Sequence, residues 1–124
     1  MKQQFPAGCR TSPPTAATGS TLGEAARLLR MATVAVVYLR LNVVQAMSLK
    51  DKRRVLKSFK TRLSNTWNVS VAEVDDLESH RMATVAIAMV SNDSRYVEST
   101  LQKIVNKAAN HRDMILLDHE VQWL

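Results

Sequence analysis

The stretch ATVAVVYLRL (residues 32–41), followed six residues later by SLKDKRRVLKSFKTRLSNTW (residues 48–67), sets the architecture of this chain. The first segment is β-branched and aliphatic with a two-residue alternation, which predicts a strand. The second changes period. Ser48 is placed to accept from the backbone amide near Asp51, and Asp51 to reach back as a capping-box acid, its charge favoured by the helix dipole. Leu49, Leu56, Phe59, Leu63 and Trp67 then recur at helical spacing as one buried stripe. Asn65 and Thr66 weaken the helix before a second alternating run at residues 68–74, and residues 75–80 (DDLESH) form a polar connector. Residues 81–90 (RMATVAIAMV) predict a third strand. Ser91, Asn92, Asp93 and Ser94 supply cap chemistry for a second helix, with Val97, Leu101, Ile104, Val105 and Ala108 on one face. Asn110 and His111 end it, and residues 114–124 form the last strand.

The order is β-α-β-β-α-β. Two βαβ units with right-handed crossovers, each leaving a gap that a strand of the other fills, give a four-stranded antiparallel sheet with both helices on one face. The expected fold is therefore an α+β, ferredoxin-like sandwich over residues 31–124. That architecture hosts metal carriers, RNA binders, small enzymes and dimerising regulators, so it does not assign a function.

Residues 1–30 differ in kind. All three prolines and all three glycines lie there, with Lys2, Arg10, Arg27 and Arg30 against a single acid, Glu24. So little apolar surface does not offset ordering entropy, and the stretch reads as a disordered extension or the product of an upstream start, with Met31 as the working one. The same composition outlines an organellar transit peptide, the less favoured reading; no apolar block of secretory-signal length precedes a cleavage site. One hundred and twenty-four residues suffice for one domain. The longest apolar run falls far short of the roughly 20 residues that cross a bilayer. The single cysteine, Cys9, excludes an internal disulfide framework and suggests a reducing, cytoplasmic setting.

Seventeen Lys and Arg against eleven Asp and Glu give a net charge of +6, with a pI near 9.9. The distribution says more than the total. Residues 48–64 hold seven cations and one acid, whereas the rest of residues 31–124 holds six cations and nine acids. At about 100° per residue, Lys50, Arg53, Arg54, Lys57 and Lys60 share one flank of the first helix, roughly 120° wide. Lys52 falls inside the apolar stripe, where its stem is expected to pack while its head snorkels to water. A one-sided row of cations without compensating acids suits a phosphate backbone. The competing interpretation is a solvated face. Charge runs usually are that, although such faces commonly mix signs at i, i+4, and here Arg53/Lys57 and Lys50/Arg54 are like-charge pairs.

RNA binders of this fold usually stack bases on sheet aromatics. Only Tyr38 and Trp123 lie inside the predicted strands, with Trp67 at the border of the second, and each is expected to pack in the core. Thr84, Ala86 and Ala88 give the third strand a small, flat face. If apolar residues remain on the uncovered side of the sheet, a second subunit is a natural lid.

Signatures of catalysis are missing. His80, His111 and His119 stand apart from one another in sequence, in none of the spaced pairs that hold zinc. In a strand His119 points away from its neighbours Asp118 and Glu120. The acids at residues 75–80 lack the spacing and glycine of a calcium loop, so a solvated turn is favoured over a bound cation. No phosphate-cradling glycine loop and no serine elbow occur after residue 30. The expectation is a protein that is not an enzyme, with no metal and no cofactor.

Taken in order, SLKDKRR (residues 48–54), NVSVAEV (68–74) and VSND (90–93) resemble the YlxP-like family of small bacterial proteins of unknown function. The resemblance covers essentially residues 31–124 and implies a ferredoxin-like fold. Members start near the equivalent of Met31, which favours the extension reading of residues 1–30. Their genes often lie among those for translation initiation and ribosome maturation factors, which implies a role near RNA or the ribosome; no binding or catalytic residues come with the resemblance. The leading expectation is a non-enzymatic RNA- or ribosome-associated module, with Lys50, Arg53, Arg54, Lys57 and Lys60 on phosphates. The alternative is a dimerising interaction module, a homodimer through the open sheet face, whose further partner is an acidic protein.

Overall fold

The computed structural model describes residues 31–124, of which Thr33–Leu124 form one compact body. The readings made above for residues 1–30 lie outside the described residues. In chain order the elements are β1 (Thr33–Asn42), α1 (Leu49–Thr66), β2 (Val69–Asp75), β3 (Met82–Ser91), α2 (Ser94–Ala109) and β4 (Ile115–Trp123). The strands lie in the order β2-β3-β1-β4, and every neighbouring pair is antiparallel. This is the ferredoxin-like α+β sandwich.

One face of the sheet carries the core. Ala35, Val37, Leu39 and Leu41 of β1 alternate with less buried residues, and register brings them beside Ala83, Val85, Ile87 and Met89 of β3. Leu56, Phe59 and Leu63 from α1 and Val97, Leu101, Ile104, Val105 and Ala108 from α2 close over them in a single cluster. Each of the Val, Leu, Ile, Met and Phe side chains among them contributes about 2 kcal/mol by leaving water.

The helices begin as their sequences dictate, with one shift. Ser48 caps α1, its Oγ accepting from the Asp51 amide at 3.2 Å. The Asp51 carboxylate, however, accepts from the Met47 amide at 3.1 Å, one residue before the cap. Asp93 caps α2, its Oδ1 accepting from the amides of Arg95 and Tyr96. Without glycine, α1 ends by returning Trp67 to extended backbone, and α2 ends at Asn110, whose side chain donates to the Asn106 carbonyl. The left-handed position falls to Asp76, at φ 60°, a residue type whose short polar side chain tolerates it.

Two aromatics depart from the expected core packing. Tyr38 lies between Val37 and Leu39, both fully buried, and pairs with Ala86, so it belongs to the uncovered face. Apolar residues occupy both phases of β1, and alternation alone does not choose which phase the helices cover. Trp123 is on the core side by register, opposite Ala35, yet is 47% exposed at the end of the edge strand. Phe59 is buried, and Trp67 is half-buried against the core with the Lys107 ammonium 5.5 Å from its ring centroid.

Candidate nucleic-acid interface

α1 is an 18-residue helix packed over β2. Its apolar stripe faces inward through Leu56, Phe59 and Leu63, and that fixes where the cations go. Lys50, Arg53, Arg54, Lys57 and Lys60 are all exposed. They run about 15 Å along the axis. Phe59, on the other flank, meets the His111 ring at the end of α2, with centroids 5.9 Å apart and planes at 87°. The cations are centred roughly 160° around the helix from Phe59, so they lie on the side turned away from α2.

Among the described residues none of the five cations is in an ion pair, although the acids Asp75, Asp76 and Glu78 of the β2–β3 turn lie toward the first turns of α1, to which Lys52 ties the Asp76 carbonyl. The ion pairs that do form among these residues join Lys52 to Glu73 and Arg112 to Asp113. Asp51, the acid within the helix, is occupied with the Met47 amide. The acids of β4, Asp118 and Glu120, belong to the far edge of the sheet, three strands from β2. That is about 14 Å, beyond the Debye length at physiological salt.

Lys52 does not snorkel. Its side chain is fully buried, and its Nζ donates to Glu73 Oε2 at 2.7 Å, the Asp76 carbonyl at 2.8 Å and the Met82 carbonyl at 3.1 Å. All three ammonium protons are therefore used. The helical wheel placed Lys52 correctly in the apolar stripe, but its acceptors lie 21 to 30 residues further along the chain. The result is a pin between the first turns of α1 and the β2–β3 connector, and a cation removed from the surface.

That connector is a hydrogen-bonded turn. Asp75 Oδ1 accepts from the Asp76 amide, Asp76 Oδ2 accepts from the Thr84 hydroxyl, and the Asp76 carbonyl accepts from the Ser79 amide. Among the described residues, no three His, Cys, Asp or Glu side chains come close enough to hold a metal ion. His119 pairs with Leu39 while Asp118 and Glu120 pair with Arg40 and Tyr38, so His119 and the two acids point to opposite faces despite a bulge between Arg40 and Leu41. The sheet's uncovered face presents Tyr38 among Ala72, Ala86 and Ala88, with Glu120 opposite it on β4 and the Arg40–Asp118 cross-strand pair beyond. No helix among the described residues is long and apolar enough to cross a membrane.

A model of the family described as "Protein of unknown function (DUF503)" matches residues 34–121, from the second residue of β1 to the seventh of the nine residues of β4. The chain belongs to this family. The DUF503 match therefore takes in the whole of α1 and its cationic flank. A relative, the "Uncharacterized protein YlxP" of Bacillus subtilis (strain 168), is 36% identical over 63 residues, covering 51% of this chain and 68% of that protein. Two solved structures are also similar. De novo designed protein Foldit4 aligns with a TM-score of 0.47 and 17% identity, over 75% of this chain and 96% of that one. De novo designed protein Ferredog-Diesel aligns at 0.44 and 13%, over 72% and 83%.

Proposed function

We propose that this DUF503 protein is a non-enzymatic RNA-binding module, associated with ribosomal RNA or ribosomal particles in the cytoplasm, that grips the phosphate backbone along α1. One observation carries the reading: five exposed cations share a flank of a rigid helix, and among the described residues no carboxylate lies within salt-bridge distance of any of them. Such an array gives sequence-independent contacts and releases counterions on binding. The full chain should bind ribosomal RNA with log affinity falling linearly in log salt. Replacing Arg53, Arg54, Lys57 and Lys60 with Glu should abolish that binding; unchanged binding in the variant removes the helix from the account. Co-sedimentation with ribosomal particles, and the salt at which the protein leaves them, provides the cellular counterpart.

A second reading draws on the other layer. Tyr38, Ala86 and Ala88 line the uncovered face, and Val90 is 55% exposed. A second copy of the chain would cover this surface, leaving the cationic flank for an acidic protein. Sedimentation over a range of concentrations, with and without RNA, bears on this reading: a strict monomer that binds RNA counts against it, whereas a dimer that binds RNA is compatible with both.

A further inference from the structure

The cationic flank begins at Lys50, and three residues earlier the chain enters a shallow, largely open groove of about 540 Å³ lined by Ala46, Met47, Glu78, Ser79, His80 and Arg81. Two loops remote in sequence build it, the β1–α1 connection and the β2–β3 connector. Both are held in place. The Met47 amide donates to the Asp51 carboxylate, which ties one wall to the first turn of α1. Arg81 Nε donates to the Ala46 carbonyl at 3.2 Å, the Val43 amide donates to the Arg81 carbonyl at 2.7 Å, and Ser79 Oγ accepts from the Met82 amide. On this fixed frame Met47 stands 75% exposed, sharing the groove with the exposed His80 imidazole and Arg81 guanidinium.

We infer that this groove receives one unpaired nucleobase of an RNA whose phosphates run along Lys50, Arg53 and Arg54. The inference rests on the phosphate-binding reading of α1 and adds to it the form of RNA preferred. The groove's formal charges balance, Glu78 against Arg81, so it lacks the net positive charge that a bound phosphate calls for. Glu78 lines the groove, and its carboxylate repels a phosphate but accepts from the amino and imino donors of a base edge. A thioether, an imidazole and a guanidinium plane suit a flat aromatic ring, since both methionine sulfur and arginine stack on such faces. The phosphates on either side of that base have the cations of the first turns of α1 within one or two helical turns. Cations alone hold any duplex; the groove rewards a nucleotide that has left one.

The test compares two RNAs on the full-length protein: a blunt hairpin duplex and the same hairpin ending in one unpaired nucleotide. The wild type should bind the second at least about fivefold more tightly, the low end expected for one stacked base. Both RNAs should show the same salt slope, because a base contact releases no counterions. The double variant Met47→Ala with His80→Ala changes exposed side chains only, and an unchanged melting curve verifies its fold. It should keep the blunt-hairpin affinity and lose the preference. Equal wild-type affinity for the two RNAs, or a preference that survives in the double variant, overturns the groove. The Glu substitutions on α1 make the two failures distinct. If they abolish binding while the RNAs are equivalent, the groove alone fails; if binding to both persists, the phosphate reading fails and the groove with it.

Discussion

The Lys52 ammonium meets the Glu73 carboxylate at 2.7 Å beneath the first turns of α1, with the lysine side chain wholly buried and the glutamate 17% exposed. Two backbone carbonyls complete the lysine's partners, so the charge is taken out of water without leaving a donor unused. Removing one member strands the other. Glu73→Ala leaves the ammonium buried beside carbonyls alone and should cost about 3 kcal/mol in urea unfolding. Lys52→Met leaves Glu73 able to hydrate through its exposed edge and should cost less. The double replacement should cost well under the sum of the two, and a double-mutant cycle reads that coupling directly.

The cationic flank opposes the stability of its own helix. Arg53/Lys57 and Lys50/Arg54 place like charges four residues apart on exposed positions. Changing Arg53 and Lys57 to Gln should raise stability by about 0.2–0.5 kcal/mol, while each cation removed lowers the magnitude of the RNA salt slope by roughly 0.7–0.9. A bland solvated face would gain the stability and show no change in binding. Measuring denaturation and RNA affinity on the same variants therefore separates a binding flank from a decorative one.

His111 makes the fold sensitive to mild acid. Its Nδ1 accepts from the Asp113 amide at 3.0 Å, which places the proton on Nε2, and that atom is buried with no hydrogen-bond partner among the described residues. Burial lowers the imidazole's pKa below its ordinary 6.5; Asp113 opposes the shift, and Arg62 and Arg112 add to it. The unfolded chain thus takes up the proton at higher pH than the folded one. This contribution to stability is complete above about pH 6.5 and is lost as the pH falls through the lower, folded value. The urea midpoint should drop as the pH falls below about 6.5, and His111→Leu should flatten that part of the curve.

Much of the fold was legible because local signals agreed. Alternation in residues 32–41 and 81–90, and the caps at Ser48 and Asp93, give the same element order that the sheet displays, with ends displaced by about one residue. Three features were not legible, each because its partners are remote. Lys52 finds acceptors in Glu73, Asp76 and Met82. Tyr38 lies in a strand apolar on both faces, and only the helices choose between them. The groove joins Met47 to His80 and Arg81 across a gap of more than thirty residues. The cations of α1 were readable because one helix supplies all of them.

The uncovered face gives a last test, independent of α1. Tyr38 stands among Ala72, Ala86 and Ala88 at the middle of the sheet, with Val90 exposed at one end. This apolar patch, bordered by Arg40, Asp118 and Glu120 on the β4 side, favours contact with another apolar surface. Sedimentation should show mass rising with concentration, and Tyr38→Asp should hold the protein monomeric by placing a charge at the centre of the contact. The cations lie on the opposite layer, so Tyr38→Asp should leave the RNA salt slope unchanged. A wild type that stays monomeric across the range would remove the second copy from consideration and leave the RNA reading as it stands. Loss of RNA binding in the monomeric variant would instead mean that two helices, brought together by this face, bind one RNA.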